Sequence, residues 1–177
     1  MSDLLENFHS RVINQTRDVG GLSNSEGTHI AVRSNGLQPQ VGFDGRIYLI
    51  DFGLAQYFRD NTSHIHTPLI TGLDLVGTIR YTSINSHMGL QQTRRDDLES
   101  LGYTLLYLHL GKVPWQGISN QNPSRHRAAV LRQKQDLCKH SFEIVPSGLM
   151  KFIQYARSLA FEDNPDYIYC HSVLDGL

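Results

Sequence analysis

The sequence predicts a mainly α domain with minor β structure, and three observations carry that expectation. Residues 94–111 form a long apolar segment with helix-favouring ends. Two later stretches, 126–137 and 146–161, repeat apolar residues at helical spacing. Only one run, Ile47-Tyr48-Leu49-Ile50, reads as a buried strand. At 177 residues and 40% hydrophobic, the chain is long enough to bury one real core.

In chain order, residues 3–12 place Leu4, Leu5, Phe8 and Val12 on one helical face, with Asp3 as N-cap. From Gln15 to Gly45 the periodicity dissolves, with glycines at 20, 21, 27, 36, 42 and 45 among Ser, Asn and Thr. Such a stretch is expected to be an irregular or disordered insertion. The strand Ile47–Ile50 then runs into Asp51-Phe52-Gly53. A carboxylate at a strand end, an apolar anchor and a glycine that lets the backbone turn would hold a negative charge at the mouth of a cleft. The tripeptide alone is equally a strand ending in a turn. Residues 56–93 read as a long loop laid over the domain surface. His64-Ile65-His66, alone in that loop, is too little for a metal site.

Asp96 or Asp97 is the expected cap of the helix over 94–111, with Glu99 placing negative charge near the positive end of its dipole. Leu98, Leu101, Leu105 and Leu108 form one stripe, and Tyr103, Leu106, Tyr107 and Leu110 widen it almost all the way round. This helix should be the buried axis of the domain, stopped by Gly111. Val113-Pro114-Trp115-Gln116-Gly117 follows as a turn with an apolar anchor. In the helix over 126–137, Ala128, Ala129, Val130 and Leu131 face Arg125, Arg127, Arg132 and Lys134 on the polar side. Leu149, Phe152, Ile153, Ala156 and Leu159 mark the next helix, and Pro165–Tyr169 opens a last turn or short helix.

Composition narrows the function. A net charge of −1 suggests no nucleic-acid or anionic-membrane partner. Cys138 and Cys170 form neither a disulfide framework nor a metal spacing. The acidic start lacks the order of a signal peptide, and no apolar run approaches the ~18 residues of a membrane span. These features predict an intracellular protein of cytoplasm or nucleus. Its four lysines are Lys112, Lys134, Lys139 and Lys151.

Six segments now stand in a fixed order. They are Tyr48–Ala55, Gly77-Thr78-Ile79-Arg80-Tyr81-Thr82-Ser83-Ile84-Asn85, Arg94–Tyr103, Pro114–Gly117, Leu137-Cys138-Lys139, and Arg157-Ser158-Leu159 with Phe161–Tyr167. In these segments the chain resembles the C-terminal lobe of casein kinase 1 family serine/threonine protein kinases over about residues 46–170. In that family Ser-Ile-Asn stands where most kinases carry Ala-Pro-Glu. The resemblance implies a protein-kinase-like C-terminal lobe lacking the small N-terminal β-lobe. It divides the chain into a degenerate catalytic-loop region with an irregular insertion, 1–45, and a partial kinase domain, 46–177. The family activity it implies is ATP-dependent phosphorylation of protein serine and threonine, with Mg and ATP as cofactors. Asp51 matches the magnesium-binding aspartate. Arg80 matches an arginine that holds a phosphate or acidic group near the substrate, for which a planar guanidinium fork is suited. Arg125 and Arg127 fall where the family has a further anion-contacting segment. Asp97 matches the aspartate bracing the catalytic loop, and Arg157 is expected to be structural. The partners implied are proteins with an acidic or phosphorylated segment.

The match departs from the family in the catalytic loop. Only Thr16-Arg17-Asp18-Val19-Gly20-Gly21-Leu22-Ser23-Asn24 stands for His-Arg-Asp-Ile-Lys-Pro-x-Asn. Asp18 is the candidate relic of the proton-accepting catalytic aspartate. Gly20-Gly21 replaces the lysine and proline, and Ser23 occupies the place of the second magnesium ligand. No lysine precedes Lys112, and no Gly-x-Gly-x-x-Gly loop stands upstream. Phosphoryl transfer rests on positioning and neutralising the phosphates, so the sequence predicts a catalytically dead C-lobe remnant. The alternatives are a non-enzymatic pseudokinase module binding acidic or phosphorylated peptides, or a piece of a longer kinase to which the family activity belongs.

Overall fold

The computed structural model describes residues 30–31, 40–41, 47–48, 56–60, 62–119, 121–137, 139 and 145–175. The fold is mainly helical, as expected. The elements in order are β1 (Ile30–Ala31), β2 (Gln40–Val41), β3 (Ile47–Tyr48), β4 (Gln56–Tyr57), α1 (Ile84–His87), α2 (Arg94–Leu110), α3 (Pro123–Leu137), α4 (Ser147–Ser158) and α5 (Tyr167–Leu174). Among the described residues, β structure amounts to an isolated antiparallel bridge between Arg59 and His66 and two short antiparallel pairings. In one, β2 meets β3 with Gln40 opposite Tyr48; in the other, β1 meets β4 with Ile30 opposite Tyr57. Two of these strands, β1 and β2, fall inside the stretch expected to be irregular. The strand expected over 47–50 is described at Ile47 and Tyr48 alone; Leu49 and Ile50 lie outside the described residues.

The axis is α2. Every residue from Leu98 to Leu106 is buried, as its nearly continuous apolar surface requires. Its N-cap is Thr93, not Asp96 or Asp97. The Asp96 carboxylate reaches back from the first turn to accept the Thr93 N–H at 2.9 Å, while the Thr93 hydroxyl donates to the Phe161 carbonyl at 3.0 Å. One threonine therefore starts the helix and ties it to the far end of the chain. Gly111 ends it at φ 71°, its N–H bonded to the Tyr107 carbonyl.

Against α2 lies α4, whose Leu149, Phe152, Ile153 and Ala156 are buried at i, i+3, i+4 and i+7. The helices touch closely because Gly102 carries no side chain. A Cβ there would stand 2.5 Å from Ile153 Cγ1. Gly148 plays the same part between α4 and α5, where a Cβ would come within 2.1 Å of the Val173 carbonyl oxygen. Asp166 caps α5 by accepting the Tyr169 N–H at 2.9 Å, and the helix runs on to Leu174. Cys170 is buried on it, and burial pushes its thiol up to about 12. Each fully buried Leu, Ile or Phe of this core contributes about 1.5–3 kcal/mol.

Helix α3 begins at Pro123, three residues before the expected start, with proline at a first-turn position where its missing N–H costs nothing. The Arg125 N–H is bonded by the Asn122 side chain at 3.1 Å. One residue on α3 departs from the sequence expectation. Lys134, expected on the polar side, is fully buried beside Val130 and Leu137. Among the described residues, no helix is long and apolar enough to cross a membrane.

Candidate functional site

Arg80 stands in a tight turn. The Tyr81 and Thr82 N–H groups both reach the Thr78 carbonyl, at 2.9 and 3.1 Å, and the Thr82 hydroxyl joins them at 2.9 Å. The carbonyls that this turn points inward would be stranded unless the core supplied donors. It does. The Trp115 indole N–H donates to the Arg80 carbonyl at 2.8 Å. The Lys134 ammonium donates to the Ile79 carbonyl at 2.8 Å and to the Thr82 carbonyl at 2.5 Å, with His87 Nε2 at 3.2 Å. Two buried side chains thus fix the backbone before, at and after Arg80.

The Arg80 guanidinium lies over two aromatic faces, 5.7 Å from the Tyr81 ring centre and 5.4 Å from that of Tyr107. Those rings meet edge-on at 5.9 Å. Among the described residues, no carboxylate stands within ion-pair distance of Arg80. A planar, permanently charged donor fork on a rigid platform is suited to carboxylate or phosphate.

Just after the turn, Ser83-Ile84-Asn85 is fastened to α2 by two buried carboxylates. Asp96 accepts the Ser83 hydroxyl at 2.8 Å and the Asn85 amide at 3.0 Å. Glu99 accepts the Ile84 N–H at 3.2 Å and the Tyr103 hydroxyl at 2.5 Å. Glu99, expected to place negative charge near the helix dipole, is thus a buried acceptor. Burial raises its carboxyl pKa, against the hydrogen bonds from Tyr103 and Ile84, which favour the charged form.

The two basic side chains behind the turn are held under strong desolvation. Burial pushes the Lys134 amine down to about 7, opposed by the charge of Glu99. Lys134 also faces the rings of Tyr103 and Trp115 at 4.8 and 5.2 Å. Burial and then the Lys134 charge push His87 down to about 4, with a smaller contribution from Arg127 and an opposing hydrogen bond to Ile79.

That contribution puts the positive charge of Arg127 within reach of His87. Arg127 and Lys134 lie about two helical turns apart on one face of α3. Arg125, two residues earlier, points to roughly the opposite face. Both arginines are exposed. Arg157 donates from α4 to the Lys134 carbonyl at 3.5 Å, in keeping with a structural part.

Asp18 and Asp51 lie outside the described residues. Among the described residues, no group of three His, Cys, Asp or Glu could hold a metal ion. His66 packs between Phe58 and Phe161, with ring centres at 5.8 and 4.9 Å. A separate groove of ≈ 760 Å³ is lined by Tyr57, Pro68, Ile70, Leu73, Val76 and Leu90 together with Gln56, Gln91 and Gln92. Sequence reasoning missed Lys134 as a site residue. The signal was the stripe Arg127, Val130, Lys134, Leu137, which puts the lysine in line with two buried aliphatics. No protein-family model matches the chain.

Proposed function

We propose that this chain is a casein kinase 1-like C-lobe that binds acidic or phosphorylated segments of protein partners through Arg80, and does not itself transfer phosphate. The observation supporting it is the Arg80 turn, with its carbonyls saturated by buried donors and its guanidinium on tyrosine faces without a carboxylate partner among the described residues. Arg127, an exposed cation whose charge reaches His87 behind the turn, is the candidate second contact. The order of motifs from Tyr48 to Tyr167 supports the kinase-like reading, and Gly20-Gly21 in place of the catalytic-loop lysine and proline supports the absence of turnover.

The test is calorimetry with a phosphothreonine peptide flanked by acidic residues. A hydrogen bond to a charged group is worth about 1.5–3 kcal/mol, so Arg80→Ala should weaken binding roughly 10- to 100-fold. Arg127→Ala should weaken it less, and Arg125→Ala should leave it unchanged. Binding that survives Arg80→Ala intact overturns the reading. A thermal shift with Mg·ATP that vanishes in Asp51→Ala would overturn the non-catalytic half of it.

A further inference from the structure

Lys134 is a buried cation without a carboxylate within ion-pair distance among the described residues, which is rare for so costly a group. Its bonds go to the Ile79 and Thr82 carbonyls, on either side of Arg80, and its flanks to the faces of Tyr103 and Trp115. We propose that Lys134 is a positioning residue for the anion site, its protonated amine both fixing the Arg80 turn and lending its charge to the ligand, so that an acidic or phosphorylated ligand and a proton bind together. This rests on the reading of Arg80 as the anion contact.

Lys134 is fully buried and does not touch the ligand. It acts through the turn and through space. As the ammonium, it holds three donors for the two carbonyls and His87 Nε2, and presents a full charge to both rings. As the neutral amine, it keeps two donors for the carbonyls, loses the cation–π attraction and adds nothing to the field at Arg80. A ligand anion arriving over the turn favours the first state, because a buried charge is weakly screened and acts at an effective dielectric well below that of water. Reciprocity follows. The factor by which the proton strengthens ligand binding is the factor by which the ligand strengthens proton binding.

The charged and titratable groups facing Lys134 are few. From α2, Glu99 favours the ammonium and Tyr103 offers its ring. From α1, His87 is held neutral through the neutral range, being pushed down to about 4. From α3 itself, Arg127 adds positive charge near His87, and from α4, Arg157 reaches the Lys134 carbonyl. Since burial pushes the Lys134 amine down to about 7, the ionisation falls where binding can be measured.

The experiment uses an Asp-flanked sulfotyrosine peptide, whose sulfate keeps its charge across the range, and calorimetry in buffers of different ionisation enthalpy. Wild-type affinity should be roughly tenfold higher at about pH 6.5 than at about pH 8.5, the fold-change of a coupling near one pKa unit. Binding near neutrality should take up a fraction of a proton. Lys134→Met keeps the apolar stem, and should bind more weakly with a flat pH profile and no proton uptake. Wild-type binding that is independent of pH and takes up no proton overturns the proposal while leaving Arg80 as the anion contact. A pH profile retained in Lys134→Met overturns it as well. Absence of wild-type binding at every pH overturns the Arg80 reading and the proposal with it. Proton uptake is read on the wild-type chain, so the proposal stands or falls on that measurement even where the variant does not fold.

Discussion

Two adjoining stretches, the irregular backbone of residues 67–76 and residues 77–85, which lead into α1, differ sharply in what holds them. The second is fastened by buried polar side chains from the helical core, namely Lys134, Trp115, Asp96 and Glu99. The first is fastened by a few backbone bonds to its neighbours, such as Leu73 N–H to Gly89 and Gln91 N–H to Ile70, and leaves Leu69 52% and Ile70 47% exposed. Neither stretch has a repeating ladder. A loop becomes a rigid platform when the core supplies it with donors and acceptors, and each such bond makes the fold sensitive to loss of one residue.

The largest way to break the contrast is Asp96→Ala. It removes a buried acceptor serving Ser83, Asn85 and Thr93, and should cost about 3–5 kcal/mol in urea denaturation, as expected when a buried charged partner is deleted. Next comes acid. His87 is pushed down to about 4 from an ordinary 6.5, so its contribution to stability is present above 6.5 and lost as pH falls through 4. The denaturant midpoint of wild type should therefore fall relative to that of His87→Gln on acidification, by a change on the order of 3 kcal/mol between neutrality and pH below 4. A difference unchanged between neutral pH and acid would contradict it. Gly148→Ala, which drives a methyl against the Val173 carbonyl, should cost about 1–3 kcal/mol by overpacking α4 on α5.

Trp115→Phe sharpens the comparison further. It keeps an aromatic ring and removes the bond to the Arg80 carbonyl, so that bond's loss should lower stability by about 0.5–1.5 kcal/mol. Peptide binding should weaken at the same time. The smallest effect belongs to the other stretch. Ile70→Ser, on a half-exposed side chain, should change stability by no more than about 0.5 kcal/mol.

The helices were legible because their apolar residues recur at fixed spacing. Leu149, Phe152, Ile153 and Ala156 read correctly, as did the continuous burial of Leu98–Leu106. Their ends were less so. Thr93 rather than Asp96 caps α2 because the Asp96 carboxylate has partners on two sides, and a spacing pattern cannot show which one a short polar side chain will choose. Arg80 was legible only through motif order. Lys134 was not legible, because charge assigns a lysine to the surface by default, and only the folded chain brings the carbonyls of residues 79 and 82 to it. Glu99 hid for the same reason: its partners, Ile84 and Tyr103, mean nothing until α1 lies on α2.

Native-state hydrogen exchange resolved to single amides reads the difference between the two stretches directly. The Tyr81, Thr82 and Ile84 amides should exchange with protection approaching that of the α2 core, and Leu73 and Gln91 should exchange orders of magnitude faster through local opening. Equal, weak protection in both stretches would contradict the claim that buried side chains make the Arg80 turn a preformed platform.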